Sequence, residues 1–253
     1  MKKKVLFAVS LFVVLFLISY KAFAVIPDLP IPKIGLNIDK AVNPKDYVDN
    51  IKLLILITVL TLVPSILILM TSFTRIVIVL SFVRNALSTQ QTPPNQVLIG
   101  LALFLTFFIM SPVYNKVNDE ALKPYLNNEI TQEQAIEIGS KPVKGFMLKQ
   151  TRQKDIALFV NAAKMDKIQK PEDTPFTVLI PSFIISELRR AFEMGFMIYI
   201  PFIVIDMVVA SILMSMGMFM LPPVSISLPF KLLLFVMVDG WFLVVKSLLE
   251  SFA

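Results

Sequence analysis

From Leu53 to Met70 the chain carries no charged side chain, and the apolar character continues through Thr71-Ser72-Phe73-Thr74-Arg75 to about Val83. Three further apolar stretches follow: Val97 to Met110, Ile180 to Leu221, and Leu228 to Phe252. A bilayer core is crossed by about 20 apolar residues in a helix. The chain is 56% hydrophobic with a mean hydropathy of +0.76, far beyond what a soluble domain of this length buries. The surplus must face lipid or partner subunits. The expected fold is therefore an all-α membrane protein in which two helical hairpins flank a small, polar, partly helical extracytoplasmic insert.

Composition removes whole classes of chemistry. The chain has no Cys and no His, which excludes thiol nucleophiles, disulfides, His- or Cys-ligated zinc and serine–histidine triads. Carboxylate-only metal sites or acid–base pairs are the common catalytic options left, and no nucleophile motif accompanies them. An intramembrane enzyme is thus the weakest reading, and no metal or cofactor is expected. The formal charge of +6 fits basic loops beside anionic lipid, and no basic run interleaved with aromatics points to nucleic acid.

The chain divides at its changes of polarity. Lys2, Lys3 and Lys4 precede an apolar core from Val5 to Ser19, and Ala22-Phe23-Ala24 is a small-x-small site. Residues 1–24 thus read as a signal peptide cleaved between Ala24 and Val25, the competing reading being an uncleaved anchor. Residues 25–52, with Pro27, Pro30, Pro32, Gly35 and Pro44, form an extended polar segment. Residues 53–113 make the first membrane hairpin, kinked at Pro64, turned at Gln90 to Asn95 and closed by Pro112. Residues 114–180 form the polar insert, with amphipathic patches at Thr131–Ile138 and Lys154–Ala163 and a capping-box spacing at Thr131 and Gln134. Residues 181–253 are the second hairpin, with a Met-rich break ended by Leu221-Pro222-Pro223 and one last helix from Leu228 to Phe252.

Orientation sets two signals against each other. The lysines of the insert alone would place it in the cytoplasm. A cleaved leader followed by two spans places it outside, and an insert of this length can be translocated whatever its charge. The leader is the stronger signal.

Arg75, Glu187, Arg189, Arg190, Glu193, Asp206, Lys231 and Asp239 interrupt apolar helices. Each would be costly facing lipid, so each should face protein or a water-filled path. Arg189 and Glu193 are four apart, and Glu187, Arg190 and Glu193 are three apart, so pairing along one helix is expected. The bland reading is a set of structural pairs and the sharp one an ion or proton relay; balanced signs and the lack of His favour the former. Met214, Met216, Met218 and Met220 alternate around Gly217. Every second residue does not suit one helical face. A bent, non-helical segment follows, and in a membrane such backbone belongs inside protein or along a cavity. Ordinary Met-rich packing is the competing reading.

Longer strings carry a resemblance. Leu62-Val63-Pro64-Ser65, Met70-Thr71-Ser72-Phe73-Thr74-Arg75 and Gln91-Thr92-Pro93-Pro94-Asn95-Gln96 resemble the first hairpin of the FliP family of type III secretion export-gate subunits. Pro181-Ser182-Phe183-Ile184-Ile185-Ser186-Glu187-Leu188, with Ala191-Phe192 and Gly195-Phe196, resembles the family's signature on its third helix. Pro201-Phe202 with Asp206, Gly217-Met218, Pro222-Pro223, Leu228-Pro229-Phe230-Lys231 and Val238-Asp239-Gly240-Trp241 continue the match in order over about residues 50–252. The cleavable leader looks like the flagellar branch rather than the injectisome branch.

The resemblance implies a pentamer of this chain assembled with FliQ-like and FliR-like subunits. With FlhA and FlhB it would pass unfolded flagellar proteins across the bacterial inner membrane at the flagellar basal body. It also implies that hairpins which hydropathy reads as four spans sit largely above the plain bilayer plane. A Met-rich loop would close the pore as a gasket, here Met218, Phe219 and Met220; the central Phe219 departs from the family's usual third methionine and is stiffer. Arg152 and Lys231 match charged positions used in assembly. The competing function is a small-ion or proton channel or carrier, which would need Asp206 or Asp239 on its conduction path.

Overall fold

Ile76, Val79, Leu80 and Val83 recur at helical spacing, and all four are fully buried on helix α1 (Phe73–Ala86) in a computed structural model of the chain. The structure describes residues 51–252, except 52, 53, 59, 63, 64, 66, 67, 90 and 166–169. The expected signal peptide, its cleavage site at Ala24 and Val25, and the extended segment lie outside the described residues, as do parts of the expected first span. The described residues are helical wherever they are regular, and no strand occurs among them. The all-α expectation holds.

After α1 come α2 (Asn95–Val117), a π-helical turn (Asn118–Leu122), α3 (Lys123–Leu126), α4 (Gln132–Gln150), α5 (Gln153–Ala162), α6 (Phe176–Ser215), α7 (Pro223–Met237) and α8 (Gly240–Glu250). Among the described residues two helical stretches, Asn95–Leu126 and Phe176–Ser215, are long and apolar enough to cross a membrane, and α7 with α8 makes a third if that bent pair counts as one span. At 1.5 Å per residue, α6 alone is about 60 Å long, roughly twice a bilayer core. It must therefore tilt steeply or extend well beyond the hydrocarbon.

The core is built around α1. Its buried stripe meets Ala191 and Phe202 of α6, Phe235 of α7, Val244 and Leu248 of α8, and Leu98 and Ala102 of α2. The most extensive partner of α1 is α6, with α2 second. Gly195 permits that close approach, because a Cβ there would fall 2.5 Å from the ring of Phe82. A smaller cluster of Met147, Leu179 and Phe183 ties the insert, through α4, to the start of α6.

The capping box forms as its spacing predicts: Thr131 Oγ1 accepts the Gln134 N–H at 3.4 Å, and Gln134 Oε1 accepts the Thr131 N–H at 3.0 Å. The helix it starts runs to Gln150, well past Ile138. α5 falls within one residue of the expected Lys154–Ala163 patch.

Pro112 acts more weakly than its expected role suggests. Pro112 does not close α2, which continues to Val117, and α6 passes through Pro181 and Pro201. In apolar surroundings every exposed peptide group is costly, so a helix bends around a proline more readily than it ends there. The expected single helix from Leu228 to Phe252 is also corrected. α7 begins at Pro223, and the chain turns by 63° between α7 and α8. Asp239 sits there at φ 51°, a left-handed conformation that cannot continue the helix. Gly240 follows because a Cβ would lie 2.3 Å from the Phe235 ring.

Candidate functional site

The helices position the singled-out charges in separate groups. The first centres on Arg75, which is fully buried. Its Nε donates to Glu187 Oε2 at 2.9 Å and its NH2 to Glu187 Oε1. NH2 also donates to Gln150 Oε1 at 3.0 Å, while NH1 donates to the Ser251 carbonyl at 2.9 Å and to Ser251 Oγ at 3.0 Å. The guanidinium stacks 3.8 Å from the centre of the Phe252 ring. One cation thus joins α1, α4, α6 and the turn after α8. Arg190 reaches the same Gln150 oxygen at 2.5 Å. Glu187 is therefore held across helices rather than along its own, contrary to the expected local pairing with Arg190.

The second group holds the α6–α7 hairpin together. Lys231 Nζ donates to Asp206 Oδ2 at 2.6 Å and to Ser88 Oγ at 2.8 Å, and Ser227 Oγ donates to Asp206 Oδ1 at 2.5 Å. Lys231 is buried, with its charge compensated at once by the carboxylate. Ser88, at φ 58°, brings its hydroxyl in from the end of α1.

The third group clasps the insert to α6. Arg152 donates from Nε and NH2 to both oxygens of Asp155 at 2.8 and 2.9 Å, and Ser186 Oγ donates to Asp155 Oδ2 at 2.5 Å. Ser186 Oγ also accepts the Arg152 N–H at 3.1 Å, and Ser182 Oγ donates to the Asp155 carbonyl. Burial would raise the Asp155 carboxyl; the hydrogen bond from Ser186 and the Arg152 guanidinium outweigh it and hold the group below the usual carboxylate range.

Three of the singled-out charges, Arg189, Glu193 and Asp239, stand apart from these groups. Glu193 pairs with Arg189 at 2.6 Å on the exposed face of α6, as their spacing predicts. Asp239 is exposed at the α7–α8 bend and joins no ion pair among the described residues.

The Met-rich segment lies at the tip of the α6–α7 hairpin. α6 ends in a Schellman motif: the Met218 N–H donates to the Leu213 carbonyl and the Gly217 N–H to the Met214 carbonyl, each at 3.0 Å. Gly217 supplies the left-handed residue at φ 76° that this motif requires. Met218, Phe219 and Met220 then form a non-helical turn before Pro222, with 42, 78 and 98% of their surface exposed. Three consecutive large apolar side chains are thus held out from the protein on a capped helix. The Asp206–Lys231 pair staples that hairpin about 14 Å down α6 from its end, by helical rise.

Residues 56–248 match the family model described as FliP family. The chain belongs to the FliP family. Among its relatives, the Bacillus subtilis flagellar biosynthetic protein FliP is 62% identical over 217 residues, covering 86% of this chain and 98% of the relative. The Pectobacterium carotovorum protein of the same name is 58% identical over 203 residues, covering 80% and 79%. That of Aquifex aeolicus is 52% identical over 217 residues, covering 85% and 91%.

Within this FliP-family fold, several residues that complete the charged groups escape a reading by helical period. Gln150, Ser251, Phe252, Ser88 and Ser227 come from distant segments and carry no local signal. Asp155 did leave one, since it follows Arg152 by three residues across a helix start.

Proposed function

We propose that this FliP-family chain is a core channel-forming subunit of a flagellar type III secretion export gate. Copies of it assemble, as a pentamer, with FliQ-like and FliR-like subunits, and with FlhA and FlhB they pass unfolded flagellar proteins across the bacterial inner membrane. The observation that carries this reading is the turn at Met218, Phe219 and Met220, three consecutive large apolar side chains of which Phe219 and Met220 stay 78 and 98% exposed among the described residues. An apolar constriction stops water and ions by dewetting, and flexible thioethers yield to a passing chain and close around it. Further support comes from α6, where Phe192, Phe196, Met197 and Met207 are exposed and call for lipid or neighbouring subunits. Asp206, which an ion path would need free, is engaged by Lys231 and Ser227.

Replacing Met218, Phe219 and Met220 together by Ala removes most of the bulk at the turn. The variant should assemble normally and leak small ions, with part of protein export retained. Conductance of the parent and variant gates in cells decides the matter: full assembly with no added leak would sink the gasket. The leader is proposed to be cleaved after Ala24, and N-terminal sequencing of membrane-extracted protein that reads from Met1 would exclude it.

A further inference from the structure

Charge in the polar insert is segregated by sign. From Tyr114 to Glu137 there are two lysines against five carboxylates, a net charge of −3; from Ile138 to Lys170 there are eight basic residues against two carboxylates, a net charge of +6. The helices keep these halves apart. Glu133 and Lys149 lie at opposite ends of α4, about 24 Å apart by helical rise. That is about three Debye lengths at physiological salt, so within one chain the halves neutralise one another only at their boundary, where Glu137 pairs with Lys141 at 3.6 Å. Among the described residues Glu120, Glu133, Lys149 and Lys154 have no ion-pair partner.

Each half also exposes apolar side chains beside its charges. In the acidic half Ile136 lies between Glu133 and Glu137 on one face of α4, and Leu122 and Leu126 of the preceding segment are also exposed. In the basic half Lys154 and Leu158 share one face of α5, and Met165 is exposed in the non-helical chain that follows the helix. Both surfaces thus have an apolar centre with a charged border, and the borders are opposite in sign. This is the composition of two complementary sides of one protein interface.

We infer that the acidic α3–α4 surface of one copy docks on the basic α4–α5 surface of the next. The contact joins two different patches, so it is heterologous and propagates around a ring rather than stopping at a pair. This inference rests on the oligomeric channel proposed above and assigns the surface by which the inserts of neighbouring copies find their order. The charges fix which patch meets which, and the apolar centres exclude water.

The test uses the full chain in mild detergent, with subunit number read by native mass spectrometry. One variant carries Glu129→Lys and Glu133→Lys, the other Lys149→Glu and Lys154→Glu. All four residues are exposed, and unchanged helical circular dichroism checks the fold. Each variant alone should lose assembly by about tenfold or more at the concentration where the parent is half assembled, since two attractive pairs become repulsive. A variant carrying all four reversals on one chain should recover assembly, because every copy then offers a basic α3–α4 patch to an acidic α4–α5 patch of the next, at each interface of a ring of any number. If a Lys or Glu variant loses helix, the corresponding Gln variants replace it, and a smaller loss in the same direction supports the inference. Parental assembly by either two-substitution variant, or no recovery in the folded four-substitution variant, overturns the docking surface and leaves the channel reading intact. A parent that is monomeric at every concentration overturns both.

Discussion

Arg75 and Glu187 stand 112 positions apart in the chain and meet as an ion pair with no solvent exposure on either side chain. The guanidinium uses each of its nitrogens: Nε and NH2 toward the carboxylate, NH2 toward Gln150, NH1 toward Ser251. A buried pair of this kind contributes less net stability than its geometry suggests, because both charges have been taken out of water. Its removal from one side is another matter, since a bare charge is left in the core.

Glu187→Ala should therefore lower unfolding stability by about 3–5 kcal/mol. Glu193→Ala, which removes the exposed partner of Arg189, should leave unfolding unchanged. Trp241 is the only tryptophan and packs edge-on at 5.3 Å against Phe235, so its fluorescence reports thermal unfolding of both variants in detergent. Equal shifts for the two would show that Arg75 finds another partner or that water enters the site.

Gly195 and Phe82 make a second long-range dependence. A methyl at position 195 falls 2.5 Å from two ring carbons and 3.0 Å from Cβ of Phe82, so rotation of the ring alone cannot clear it. Gly195→Ala should cost about 1–3 kcal/mol through overpacking of α1 on α6. Phe82→Leu should recover part of that loss in the double variant, giving a cycle whose terms do not add. Strict additivity would place the strain elsewhere.

Asp155 gives the insert a defined response to acid. Its carboxyl titrates lower in the folded chain than in the unfolded one, whose value is about 3.9. The stabilisation it brings is fully present above that unfolded value and is lost as pH falls through the lower, folded value. Amide exchange of α5 should accelerate below about pH 4. Asp155→Asn should show raised exchange at neutral pH and a flatter acid response. A variant with the parental pH profile would remove Asp155 as the cause.

Local signals made part of this architecture legible. Thr131 and Gln134 announced a helix start, Gly217 with Pro222-Pro223 announced a break, and the apolar runs announced long helices in lipid or protein. Each rests on physics acting within a few residues. The Arg75–Glu187 pair does not: the sequence marks both as charges needing cover, but period and spacing offer Glu187 only neighbours on its own helix. Pro112 misled for a related reason. Pro112, Pro181 and Pro201 carry a local cost that an apolar environment overrides, because ending the helix would expose more backbone than the proline removes. The bend at Asp239 was hidden because Asp is only moderately tolerant of a left-handed conformation, and the space that demands Gly240 belongs to Phe235 in the preceding helix.

The last prediction concerns how the Met-rich turn is aimed rather than what it contains. Gly217 is the left-handed residue of the cap on α6, and its two flanking hydrogen bonds, Met218 to Leu213 and Gly217 to Met214, fix the direction in which Met218, Phe219 and Met220 leave the helix. Nothing lies within 4 Å of a Cβ built at this position, so backbone conformation and not space decides what is tolerated. Asn accepts φ near 60–76° with little strain, whereas a β-branched residue does not. Gly217→Asn should keep the cap and the parental seal. Gly217→Val should open the cap, extend or fray the end of α6 and turn the apolar residues away from the axis. It should then leak ions although all three side chains remain. Conductance of the two assembled variants separates direction from bulk. If Gly217→Val seals as well as the parent, the apolar residues act without a fixed geometry, and the cap serves only to end the helix.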